Sequence, residues 1–422
     1  MSKIFKFGGA SVKNADAVRN VAEVIKLYPE ENLGIVISAM GKTTNALEEI
    51  LISYFDQKND FSGKLNQIKK YHLDIAEELF PDRLTPVFTE LENVFEELEI
   101  KLQKKSSASY DYEYDQIVCI GEIISTLIVS AYLNSISINC TWIDARSIIK
   151  TSNRYRDAQI IWETTSVLTK SAVDFSKSRI YITQGFIGST VEGISTTLGR
   201  EGSDFSAAIL AFSLDCSDVT IWKDVPGVLN ADPKWFDDTV KIDRMSYYDA
   251  TELAYYGASV IHPKTIKPLH NKHIPLYVKS FLNPESEGTI ITSDTQGLPV
   301  PSFIFKINQV LFTISPKDFS FIGEENLRDI FQILAELNIK INVMQNTAMS
   351  FSLCVNDDER KIPVFINRLS EKFTVKYNNS LELVTIRHYD QKTIERVTVN
   401  KDILLEEKSR HNIQMVMRNI VR

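Results

Sequence analysis

In the stretch KFGGASV, Lys6 to Val12, a lysine stands two residues before a glycine pair, and a serine follows. Adjacent glycines at a strand end tolerate positive φ and let the backbone approach a ligand, while Ser11 can cap the next helix and help present its terminal N–H groups to an anion. Lys6 adds a mobile positive charge beside Gly8 and Gly9. The competing reading is a plain Gly-Gly turn capped by serine, a common device. A second stretch, TTLGREGSDFSAAIL from Thr196 to Leu210, flanks Arg200 with Gly199 and Gly202 and sets it next to Ser203 and Asp204 before a helix opens. A guanidinium and helix-terminal donors facing one spot bind a carboxylate or a phosphate. The bland alternative is a capped helix in which Asp204 only complements the macrodipole and Arg200 is solvated.

A third candidate is Glu122 in CIGEIIST, where a carboxylate interrupts an apolar helix. Either it lies on an exposed stripe, or it is buried with a cationic partner, since an unpaired buried carboxylate is costly. A fourth, WKDVPGVLNADPK, joins a strand end to a Pro-Gly turn with two carboxylates, Asp224 and Asp232; alone it reads as a surface loop. The stretch GKTTN at Gly41 to Asn45 looks like a phosphate-binding P-loop, but Val36 occupies the position of its first glycine, so Thr43 or Thr44 reads as a helix cap. His262, His270 and His273 lack metal-ligand spacing, and no G-x-S-x-G elbow occurs.

These residues sit in a chain of 422 with 44% apolar and 24% charged residues and a formal charge of -8, an ordinary globular composition. The acidic balance gives no footprint for nucleic acid. Four scattered cysteines form no C-x-x-C pair, so reduced buried thiols are expected. The N-terminus lacks an apolar signal core and no run of about 18 apolar residues stands out, so the reading is a soluble cytoplasmic protein with no membrane partner.

Short apolar strands alternate with amphipathic helices from Ile4 onward, the rhythm of an α/β domain with a largely parallel sheet. Residues 62 to 105 read as an inserted helical hairpin. SDTQGLPVPS, near residues 293 to 302, reads as a linker. Beyond it a βαββαβ order suggests a ferredoxin-like module, and residues 381 to 422 read as a strand, a helix near 401 to 411 and a last strand. Half a module leaves apolar faces uncovered, so it must dock on the first module or on another subunit. The expected domains are 1–295, 303–380 and a partial second module at 381–422.

Taken in order, KFGGASV, SAMGKTTN, the Gly121-Glu122 pair, TQGFIGS, TTLGREGSDFSA, DVPGVLNADP and YYGASVIHP resemble the aspartate kinases of the amino-acid kinase superfamily over roughly the first 290 residues. The C-terminal modules look like that family's regulatory ACT domains. The resemblance implies an α/β three-layer sandwich with a mostly parallel central sheet, followed by ferredoxin-like ACT modules. It implies transfer of the ATP γ-phosphoryl group to the side-chain carboxylate of L-aspartate, with Mg2+, at the entry to lysine, threonine, methionine and diaminopimelate synthesis. By motif match Lys6 and Asp204 fall on catalytic positions, and Thr44, Glu122, Phe186, Arg200 and Ser203 on aspartate-binding ones. Lys6, Gly8, Gly9, Ser11, Lys223, Asp224, Leu229, Lys234 and Ser259 fall on the nucleotide side. An amino-acid effector and a homodimer through the ACT-like region are further implications.

Several positions depart from the family's pattern, among them Leu229 and Lys234, where an aromatic or basic pattern is usual. Lys223 stands where a threonine is usual before Asp224, and Ser259 replaces a usual lysine, so Lys223 is expected to compensate for the lost charge. Asn342 stands where lysine-sensitive relatives carry an aspartate. The expected site joins Arg200 to the substrate α-carboxylate and Glu122 to its ammonium, with Asp204 orienting Lys6.

Overall fold

In the computed structural model, residues 2–55, 61–104, 109–258, 261–293, 300–318 and 320–420 are described. The chain divides into two compact units, the first running from the N-terminus to Val228 and including the later stretches Lys241–Thr251 and Val260–Gln296. In the first unit, strand Ser2–Phe7 pairs in parallel with Asn32–Ile37 on one side and Asp218–Lys223 on the other. Its residues Ile4, Phe5 and Phe7 are fully buried, as strands covered on both faces require. The sheet extends through Ile180–Gln184 and Thr141–Ile143 at one end and through Leu276–Ser280, Thr289–Thr292 and Arg244–Ser246 at the other. Among the described residues of this sheet, only the pairing of Thr289–Thr292 with Leu276–Ser280 is antiparallel.

Helices cover both faces of this sheet. On one, Ala15–Lys26 and Ile120–Ser135 join the hairpin of Phe61–Leu79 and Pro86–Gln103 in a single apolar core. On the other, Gly202–Leu214 packs against Trp162–Ala172 and Pro263–Asn271. This is the expected three-layer arrangement. The run Tyr110–Ser135 is long and apolar enough to cross a membrane, but 72% of its most apolar window is buried, the mark of a core helix.

The inserted hairpin carries a buried histidine toward the sheet. His72 Nδ1 lies 2.8 Å from the Ile68 carbonyl and Nε2 3.3 Å from Thr43 Oγ1, and burial pulls its pKa down to about 4. The unfolded chain therefore takes up this proton first, near the ordinary value of about 6.5, and stability falls as pH drops from there toward about 4. His72→Gln is expected to shrink the loss of Tm between pH 7 and 4.5, measured by thermal melts; an unchanged loss would clear this residue of the role.

The second unit contains a six-stranded antiparallel sheet ordered Ile341–Asn346, Phe351–Asn356, Ser302–Pro316, Phe373–Arg387, Asn412–Asn419 and Lys401–Lys408. Two of these strands are 15 residues long and run through both modules. Gln309 to Ile314 pair with Phe351–Asn356, while Ser302 to Lys306 pair with Leu383 to Arg387; irregular register near Gln309 marks the division. Residues 381–422 are thus no separate partial domain, because their first strand continues a strand of the preceding module. The segment 401–411, expected as a helix, is instead largely the strand Lys401–Lys408, paired with Asn412–Asn419. Its helix-forming composition yields to that pairing, and the helix forms earlier, at Gln391–Thr398, where Asp390 and Thr393 make a reciprocal capping box.

The uncovered face expected of the half-module is filled from within the unit. The segment Leu229–Val240, placed by sequence in the kinase domain, clusters with the second unit instead. Phe236 packs against Phe303 and Phe305, with ring centroids 5.0 and 5.6 Å apart, above a core of Val384, Ile386 and Met415. The linker expected at residues 293 to 302 falls mostly outside the described residues.

Candidate active site

Parallel strands end at one edge of the first unit's sheet, and the loops that follow them enclose a cavity of about 590 Å³. Ligands in open α/β sheets bind beyond these carboxyl ends, where helix N-termini point outward. Strand Ser2–Phe7 delivers Gly8 and Gly9, Asn32–Ile37 delivers Ser38 to Gly41, and Ile180–Gln184 delivers Gly185 and Phe186. Gly9 must lack a side chain here: a Cβ would lie 2.8 Å from the Ala39 carbonyl oxygen and 2.9 Å from that of Gly41. The two loops are further tied by the Gly41 N–H donating to Gly9 O at 3.0 Å.

Inside this cavity Lys6 Nζ lies 2.6 Å from Asp204 Oδ1, both side chains largely buried. Asp204 stands in the first turn of Gly202–Leu214, where the Gly202 N–H donates to Gly199 O at 3.0 Å and the Asp204 and Phe205 N–H groups donate to Glu201 O at 3.1 and 3.2 Å. Thr44, Glu122, Phe186, Arg200, Ser203, Gly9 and Lys223 line the same space. Arg200 is exposed on its wall.

Glu122 is buried, which settles its open alternative against the exposed stripe. The Ala39 N–H donates to its Oε1 at 3.4 Å, and Oε2 has no hydrogen-bond partner among the described residues. Burial raises its pKa to about 8. A carboxylate in that state takes up charge when a cation arrives.

The remaining nucleotide-side expectations are placed elsewhere. Gly8 adjoins the cavity loop but, like Asp224, is not among its lining residues. Ser11 does not cap the next helix: it lies within the single turn Gly9–Val12, and Asn14 caps Ala15–Lys26 by accepting from the Ala17 N–H at 2.9 Å. The Ser11 hydroxyl is buried without a partner among the described residues. Leu229 and Lys234 belong to the segment that clusters with the second unit. Ser259 lies outside the described residues. Sequence reasoning passed over Ser38, Glu48, Tyr114, Arg156 and Glu201, all lining the cavity. Glu201 was legible within the glycine-flanked loop and Ser38 within SAMGKTTN; Glu48, Tyr114 and Arg156 carry no motif.

Some of the chain's left-handed backbone lies at this site. Phe186, Glu201 and Arg156 all line the cavity with φ of 68°, 55° and 65°. Left-handed backbone at residues other than glycine persists where surrounding structure holds it, and it clusters at functional sites.

The amino acid kinase family model matches residues 1–280. Aspartokinase 1, chloroplastic, of Arabidopsis thaliana is 33% identical over 365 residues, covering 84% of this chain and 63% of that protein. The lysine-sensitive aspartokinase 3 of Escherichia coli is 30% identical over 356 residues, covering 84% of this chain and 78% of that protein. The chain belongs to the aspartokinases of the amino acid kinase family. Among solved structures, E. coli aspartokinase III in complex with aspartate and ADP, described as the R-state, is similar with a TM-score of 0.84 and 27% identity, covering 99% of this chain and 96% of that one. The same enzyme in complex with lysine and aspartate, described as the T-state, follows at 0.83.

For this aspartokinase, Glu122 sets a pH signature. Its folded-state pKa lies above the ordinary value, so the folded chain holds the proton longer and stability falls as pH rises from about 4.5 to about 8. Glu122→Gln keeps the acceptor for Ala39 and stays neutral, so its Tm is expected to exceed wild type at pH 8.5 and to converge with it near pH 5. Thermal melts across that range check it; parallel curves would refute it.

Proposed function

We propose that this chain transfers the γ-phosphoryl group of ATP to the side-chain carboxylate of L-aspartate, giving 4-phospho-L-aspartate and ADP. The observation that carries the reading is the buried Lys6–Asp204 pair in a cavity that Arg200 and Glu122 also line. Arg200 suits the α-carboxylate through its fork of donors, and Glu122, once ionised, suits the ammonium. The side-chain carboxylate is then left facing Lys6.

A side-chain carboxylate oxygen attacks the γ-phosphorus, the bond to the β–γ bridging oxygen breaks, and its electron pair leaves with ADP. The acceptor is ionised at neutral pH, so no general base is needed. Lys6 supplies the positive charge for the charge that develops on the transferring group, and the N-terminal end of Gly202–Leu214 adds the helix dipole. Asp204 holds the lysine in place. Among the described residues no three His, Cys, Asp or Glu side chains cluster as a metal cage. That fits Mg2+ arriving on the nucleotide phosphates with few protein ligands, where it would neutralise phosphate charge.

The second unit supports a regulatory role, with an amino acid as effector and a homodimer formed through its sheet. The strand Ile341–Asn346 ends that sheet and exposes Met344, an edge a second copy can extend. Asn342 donates to Gln309 Oε1 and Asn356 Oδ1 at 2.7 and 2.9 Å, and Lys306 Nζ donates to its Oδ1 at 2.8 Å. Its amide is therefore engaged within the chain, which argues against a lysine effector read at this residue.

ATP-dependent hydroxamate formation tests the reading directly, with aspartate, glutamate and acetylglutamate as acceptors. Turnover with aspartate alone upholds it. Turnover only with another acid transfers the site to that substrate, and aspartate binding without turnover makes the chain a sensor.

A further inference from the structure

The turn at residues 154–158 runs beside the loop that bears Arg200. The Ala158 N–H donates to Thr197 O at 3.0 Å, and a Cβ on Gly199 would meet Arg156 O at 3.2 Å. Two arginines thus sit on adjoining loops and line one cavity. The backbone at Arg156 is clamped: its N–H donates to both oxygens of Asp115 at 3.1 Å, and the same buried carboxylate accepts from the Thr197 N–H and hydroxyl at 2.9 and 2.7 Å. Asp115 therefore fastens both loops to helix Tyr110–Val118 at once.

That clamp explains the turn but not the residue in it. At φ 65° a glycine would take the conformation without strain, whereas a long side chain there is disfavoured. The arginine side chain lies with its guanidinium carbon 4.6 Å from the Tyr114 ring centroid, a second cavity-lining residue. Its ion pair with Asp111, at 3.3 Å between half-exposed groups, is of the kind worth little in water. The cation is held at the wall, with a weak partner that a ligand can displace.

Its neighbours indicate which ligand. Arg156 lines the same cavity as Glu122, the ammonium site, and Tyr114, whose ring its guanidinium lies over, stands on the helix that immediately precedes the one bearing Glu122. The turn of Arg156 adjoins the loop of Arg200, the α-carboxylate site. Lys6 and Asp204 line the same cavity.

We propose that Arg156 is a specificity-determining residue that reads the α-carboxylate of the amino-acid substrate together with Arg200. This rests on the aspartate kinase reading above. The cation adds a charged donor to a carboxylate that must stay fixed while the other carboxylate of the same molecule reacts, and it disfavours acceptors whose α-carboxyl group is masked.

The decisive variant is Arg156→Gly, which removes the cation and relieves the backbone. Its Tm is expected to equal or exceed wild type, so misfolding cannot account for a kinetic change. The KM for aspartate should rise about tenfold with kcat within about twofold, the scale of one charged hydrogen bond, and the KM for ATP should stay constant. Arg156→Lys should recover part of the loss. With L-isoasparagine, whose α-carboxyl is an amide and whose side-chain carboxylate is free, wild type and variant should become equal. An unchanged aspartate KM would make the residue structural, and a raised ATP KM instead would assign it to nucleotide phosphate; either overturns the proposal. Calorimetric titration with L-aspartate reads the same contact without turnover. A tenfold weaker Kd in the glycine variant upholds the assignment even if catalysis with aspartate fails, and a wild type that does not bind aspartate ends both readings.

Discussion

Lys6→Ala is expected to lower kcat by about 10²–10³-fold, the usual consequence of removing one group aimed at developing charge in a transition state. Lys6 is buried and its ammonium lies 2.6 Å from Asp204, so its position is set before nucleotide arrives. The aspartate KM should change little, because Arg200 and Glu122 hold the other end of that substrate. Deleting the lysine alone also strands a buried carboxylate, a loss of about 3–5 kcal/mol in stability for pairs of this kind. The double variant Lys6→Met, Asp204→Asn removes both charges and is expected to regain most of the Tm while kcat stays low. Steady-state kinetics with thermal melts separate the two effects; recovery of turnover in the double variant would refute a catalytic role for the ammonium.

Arg200→Ala should act on binding. Hydrogen bonds to charged groups contribute about 1.5–3 kcal/mol, and each 1.4 kcal/mol is tenfold, so the aspartate KM is expected to rise by about 10–100-fold. The Arg200 side chain is exposed, and Tm should move little. A normal aspartate KM in this variant would contradict its assignment to the α-carboxylate. Combined with Arg156→Gly, the effects should add to less than their sum if both arginines grip one group, since residues sharing a ligand couple.

Much of the site was legible because several short motifs, each ambiguous alone, follow one another in a single order along the chain. The KFGGASV and TTLGREGSDFSA stretches advertise their chemistry through residue type, and the cavity brings Lys6, Arg200, Ser203 and Asp204 together. Arg156 and Tyr114 were illegible. Neither stands in a patterned loop, and their place depends on Asp115 gathering Thr197 and the backbone of Arg156 from distant parts of the chain. Ser11 was misread as a cap because a one-turn helix intervenes before the long one begins at Ala15.

The sequence by itself determined the alternation of strand and helix in the first unit, the glycine-rich loops that line the cavity, and the family. Those follow from local periodicity and from glycine's backbone freedom, which act over a few residues. Only the tertiary structure decided that Glu122 is buried, that Leu229–Val240 leaves the kinase unit to cover Phe303 and Phe305, and that Lys401–Lys408 is a strand. In each case a contact between residues far apart in the chain outweighs the local preference, because burial of apolar surface and satisfaction of a sheet edge are worth more than helix propensity summed over one short segment.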